Sequence, residues 1–164
     1  MKYHLHMIAL CLLFLECGNP GLHNEYLSNN CILEEGGHDH SVIRCDSPER
    51  NVYSTILDYE YNNDFIIIKQ TPNREDYKSS IAFELSCEKA AESNNAQYDK
   101  TMCEQQADSI LKQDSFYISI FKNDTNYWII SHKEKRNYGP LNKSDFGKKF
   151  DELKIPKKLR LKAG

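Results

Sequence analysis

No stretch of this 164-residue chain approaches the ~20 consecutive apolar residues of a membrane-spanning helix. An excess of charge of one sign is missing too. Lys plus Arg total 21 against 24 Asp plus Glu, a net charge of -3, too balanced for the basic surface of a nucleic-acid binder. The chain has no Gly-rich phosphate loop, no G-x-S-x-G, no H-E-x-x-H and no C-x-x-C. Without these signatures no cofactor is expected, and a binding or structural role is expected over catalysis. What is present is globular: 11% aromatic residues, with ten Tyr and seven Phe, whose half-apolar rings suit half-buried sheet faces.

The N-terminus reads as an export signal. Lys2 supplies a positive start, Met7 to Leu15 is a nine-residue apolar core, and Glu16 to Gly21 breaks it. Cys17 lies directly after that core, where bacterial lipoproteins carry the acylated cysteine, so it is the expected lipid anchor. Glu16 stands where the bacterial pattern has a small residue, and Phe14 where it has Leu. The expected organisation is a signal peptide over 1–16, an unstructured tether over 17–25, and a single domain over 26–164. The expected location is the bacterial envelope, with the membrane reached through the anchor, or secretion if Cys17 is not acylated.

Tyr53 to Gln70 is the strongest structural signal. Its first half alternates with period 2, Phe65 to Ile68 is continuously apolar, and Asn62-Asn63-Asp64 between them is turn chemistry. The reading is an antiparallel hairpin whose second strand is buried on both faces. Phe116 to Ser131 has a similar pattern and reads as a further hairpin turning at Asn123 to Asn126. Between these hairpins, Phe83, Cys87, Ala90 and Ala91 form a short helical stripe. Thr101 and Glu104 form a capping box opening a second stripe through Cys103, Ala107, Ile110 and Leu111. Asn142 caps a last helix bearing Phe146, Phe150 and Leu153, which Pro156 stops. The predicted fold class is α+β: a mainly antiparallel sheet of hairpins, one or two middle helices and a short C-terminal helix.

In an exported protein cysteines pair. A hairpin centred on His38 sets Cys31 opposite Cys45, and the two middle stripes suggest Cys87 with Cys103. His38 and His40 are the metal-ligand types of the chain, but their spacing supplies two of the about four ligands of a closed zinc site, so no metal is expected. His132 lacks a Ser or Cys partner in any recognisable motif and reads as a solvated strand end. The basic residues Lys154 to Lys162 read as a solvated face. Tyr59, Tyr61, Tyr127 and Trp128 are the candidate binding surface, since Tyr and Trp are enriched among binding anchors.

Tyr127-Trp128-Ile129-Ile130, Tyr138-Gly139-Pro140-Leu141, Asp145-Phe146, Lys154 to Leu159, and Tyr59 to Asn73 together resemble a group of small uncharacterised bacterial lipoproteins of Bacteroidetes type. The resemblance implies an envelope location and a fold, and no activity. The partner would be an unidentified envelope protein. Two alternatives stand beside this reading. One is a periplasmic inhibitor or immunity-type protein. The other is a secreted, disulfide-stapled eukaryotic protein, in which the sequons at Asn123 and Asn142 would be glycosylated.

Overall fold

The computed structural model describes residues 23–36, 41–46, 51–92 and 100–162. Among these residues two antiparallel four-stranded sheets and four helices make an α+β fold, as expected. The first sheet is a meander of β1 (His23–Tyr26), β2 (Cys31–Glu35), β3 (Ser41–Cys45) and β4 (Val52–Tyr53). The second contains, in order, β5 (Thr55–Tyr61), β6 (Phe65–Thr71), β7 (Asn126–Ser131) and β8 (Arg136–Leu141). The helices α1 (Arg74–Glu92), α2 (Lys100–Gln113) and α3 (Ser115–Ile120) lie in the chain between β6 and β7, and α4 (Lys143–Glu152) follows β8.

Local chemistry sets the joints. Asn62 Oδ1 accepts from the N–H groups of Asp64 and Phe65, both at 2.8 Å, closing the β5–β6 turn as its sequence predicts. Ser54 stands between β4 and β5 at φ 81, a left-handed angle that a non-glycine residue adopts only when its surroundings hold it there. Its Oγ sits 2.9 Å from Asp76 Oδ2 and 3.2 Å from the Thr71 carbonyl, so one kinked residue carries the chain from the first sheet into the second.

Ile66, Ile67 and Ile68 are all fully buried, which places β6 between two apolar layers. On its inner face Ile66 and Ile68 join Trp128 and Ile130 of β7, Leu33 and Ile43 of the first sheet, and the inward residues of α1 to α3. On its outer face Ile67 and Ile129 pack against Ile155 and Leu159, which follow α4. Gly139, at φ 154, lets β8 cross the Trp128 ring, because a Cβ there would lie 2.7 Å from Trp128 Cδ2.

Several expectations are corrected. β1 begins at His23, inside the stretch expected as a tether, because its backbone pairs with β2 from His23 opposite Glu35 to Tyr26 opposite Ile32. Phe116 to Ile120 is α3 and not a strand: Asp114 Oδ1 caps it by accepting from Phe116 N at 2.7 Å, and the alternating residues wind so that Ile120 is buried and Ile118 exposed. The two segments therefore share a turn and the strand after it, and differ in the element before the turn, a strand in one and a helix in the other. α1 runs for 19 residues, opened by Asn73, whose Oδ1 accepts from Glu75 N at 2.9 Å. Its buried side carries Tyr77, Ile81 and Ala82, while Phe83 and Cys87 of the predicted stripe face outward. Thr101 lies inside α2, which already begins at Lys100.

Cys31 and Cys45 are directly paired in the β2–β3 register and joined by a disulfide. The expected Cys87–Cys103 bridge is absent, and both thiols are free. Cys87 is on the exposed side of α1 whereas Cys103 is buried on α2 beside Lys89 Nζ at 3.8 Å, so the two do not share a face.

Candidate functional site

The outer face of the second sheet carries an amphiphilic cavity that combines an apolar floor with a ring of cations. It is assembled from three separate parts of the chain. β6 and β7 present Ile67 and Tyr127. α4, capped by Asn142 Oδ1 accepting from Asp145 N at 2.9 Å, lays Phe146 and Phe150 over them, four residues apart and so on one side of the helix. The Phe146 ring is 5.1 Å from that of Tyr127 and 5.9 Å from that of Phe150, an aromatic run. After α4 the chain reverses at Lys154 (φ 52), buries Ile155 and Leu159, and at Lys162 donates its backbone N–H to the Asp58 carboxylate of β5. That bond holds the segment after α4 across the sheet.

The resulting groove has a volume of about 430 Å³. Leu159 and Leu161 complete its floor, and Lys69, Lys143, Lys157, Arg160 and Lys162 stand around it with Asp151 as the one acid. None of these five cations takes part in an ion pair among the described residues. The other lysines of α4 differ: Lys148 pairs with Asp145 at 3.0 Å and Lys149 with Glu152 at 2.6 Å. The groove therefore combines an apolar surface with five cations around a single lining carboxylate.

Gly147 adds a second observation. It is an interior residue of α4 that lines the groove, yet a Cβ placed on it would meet nothing within 4 Å. Glycine inside a helix costs about 0.5–1 kcal/mol relative to alanine. No close approach among the described residues requires the glycine, and its effect is to leave the α4 backbone bare at the groove wall.

The predicted binding aromatics separate. Trp128 is buried on the inner face, its Nε1 donating to Gln70 Oε1 at 2.9 Å, so it is core and not surface. Tyr59 and Tyr61 also lie on that side, stacked at 6.5 Å, and both hydroxyls donate to the Glu25 carboxylate of β1, Tyr61 at 3.4 Å. Desolvation, followed by the Glu25 bond, raises the Tyr59 pKa. Tyr59 thus bridges the two sheets, with Tyr61 at the rim. Tyr127, one strand position from Trp128, takes the outer face and lines the groove.

His132 does have a serine partner, one no local motif reveals because the two are far apart in sequence. Its Nε2 lies 2.8 Å from Ser28 Oγ, and its backbone N–H donates to the Asp64 carbonyl at 2.9 Å. Burial lowers its pKa, opposed by the Asp64 charge. The pair fastens the β1–β2 loop to the β7–β8 turn, beside Asn29 Nδ2 donating to the Asn63 carbonyl at 2.6 Å. Cys17, His38 and His40 lie outside the described residues. Among the described residues no three His, Cys, Asp or Glu side chains gather as a metal site, and no helix is long and apolar enough to cross a membrane.

In the sequence the groove exists only in pieces: the Phe146/Phe150 stripe reads as packing and the basic tail as a solvated face. A family model described as "Protein of unknown function (DUF3997)" matches residues 28–163. No curated protein and no solved structure matches the chain.

Proposed function

This chain belongs to the family described as protein of unknown function (DUF3997), so no activity comes to it by kinship, and we propose from its own residues that it is an exported, membrane-tethered binding protein. The groove on the outer face of the second sheet is its ligand seat. The observation that carries this reading is the meeting of an apolar floor with five cations free of ion pairs in a cavity of about 430 Å³. Pockets of roughly 300–1,000 Å³ suit small molecules. Around this floor the polar groups are ammonium and guanidinium heads and one carboxylate, a set that attracts and orients a ligand; the Ser28–His132 pair belongs to a different contact, between the sheets.

Export and tethering rest on the apolar leader ahead of Cys17 and on the Cys31–Cys45 bridge, a covalent link that persists in oxidising compartments. Two measurements test the reading on the full-length protein. A metabolically supplied fatty-acid analogue labels the wild type and not Cys17→Ala. Mass spectrometry of organic extracts finds a small molecule with the purified wild type that is depleted from Lys143→Glu/Arg160→Glu. Identical extracts from the two proteins would remove the groove from this role, and an unlabelled wild type would remove the tether.

A further inference from the structure

We infer that the ligand of this groove is a single-tailed anionic amphiphile, its tail lying on the aromatic floor against the bare backbone of Gly147 and its head among the rim cations; the inference rests on the binding role proposed above. Three features select this chemistry. The floor formed by Tyr127, Phe146, Phe150 and Leu161 offers hydrocarbon and ring faces, which reward an apolar chain and give nothing to a compact inorganic anion. The five cations face one carboxylate, so a neutral or cationic amphiphile would leave the rim charge uncompensated. Four of the five are lysines, mobile point charges that accept a carboxylate or phosphate head without a fixed fork geometry.

Gly147 sets the position of the tail. A Cβ there would meet no other atom within 4 Å, so the missing side chain leaves the helix backbone open at the groove wall beside Phe146 and Phe150. The same fact makes a clean test. Gly147→Leu fills the groove from a helical position where glycine is not required, and removes ligand space without forcing a clash on the fold.

The experiment is calorimetric titration of the full chain, freed of co-purified molecules by solvent washing, with octanoate, decanoate and dodecanoate, all below their micellar concentrations. Decanol, decyltrimethylammonium and inorganic phosphate serve as controls. Each methylene added to the carboxylate should tighten binding by roughly fourfold until the groove is full. Decanol should bind about tenfold or more weakly than decanoate, and added salt should weaken decanoate and leave decanol unchanged. Gly147→Leu should lose about tenfold or more in decanoate affinity while keeping the wild-type melting temperature or exceeding it. Equal affinity for decanol and decanoate, phosphate binding as tight as decanoate, or full decanoate affinity in folded Gly147→Leu would each overturn the inference. If decanoate fails to bind while the wild type still carries a molecule that Lys143→Glu/Arg160→Glu loses, the groove remains the seat and its ligand has another chemistry. If both fail, the binding role falls as well.

Discussion

Gln70 is a fully buried amide at the meeting point of both sheets and α1. Its Nε2 donates to the Tyr53 carbonyl and, at 2.8 Å, to the Tyr77 hydroxyl, while its Oε1 accepts from Trp128 Nε1 at 2.9 Å. Burial raises the pKa of Tyr77, keeping this phenol neutral within the network. Replacing the amide by an apolar group of similar size leaves an indole N–H and a backbone carbonyl without partners in a dry environment, at a cost of about 1–3 kcal/mol for each unsatisfied group. Gln70→Leu should therefore unfold at clearly lower denaturant than wild type with an unchanged slope. A midpoint equal to wild type would show that the network contributes no stability. The same scale separates Trp128 from Tyr127: neighbours on one strand point to opposite faces, so one residue is core and the next is groove.

At the scale of elements, the β2–β3 hairpin carries the covalent staple. β1 adds to its edge, and β4 pairs with β3 through only two residues, Val52 and Tyr53. Closing a loop with a sequence separation of 14 is worth ~3 kcal/mol in the chain-entropy account of disulfides. Cys31→Ala/Cys45→Ala should lose about that much stability in equilibrium unfolding. Non-reducing peptide mapping of the wild type should find this bridge intact, with Cys87 and Cys103 taking alkylating reagent after unfolding. A mapped Cys87–Cys103 bridge would contradict the free thiols described for α1 and α2. The helical elements show how local signals mislead when they are short. Phe116 to Ile120 fits a period of two as well as a helical turn, and the Asp114 cap together with burial of Ile120 selects the helix.

For the whole molecule, the contact between the two sheets outside the main core is polar and titratable. His132 from the second sheet meets Ser28 from the first, with Asp64 the nearby charge. Burial holds its folded pKa below the unfolded value of about 6.5, so the unfolded chain binds a proton more readily. Its contribution to stability is thus complete above pH ~6.5 and declines as the pH falls from there through the lowered folded pKa. Melting temperatures measured from pH 7.5 to 5 should drop for the wild type and drop less for His132→Gln; parallel curves would show that this histidine does not set the acid response.

The hairpin turn at Asn62, the two-sided burial of β6, the pairing of Cys31 with Cys45 and the cap at Asn142 were all readable in the sequence. Each depends on backbone chemistry or strand register within about fifteen residues, where identity and spacing alone set the geometry. The outward face of Phe83 and Cys87, the serine partner of His132 and the groove were decided by tertiary structure. In each case the outcome depends on which distant segment covers a face. Lys69 and Tyr127 become groove residues only because α4 and the segment through Lys162 fold back over the outer side of their sheet, a packing choice made by apolar burial between segments and not written in any one of them.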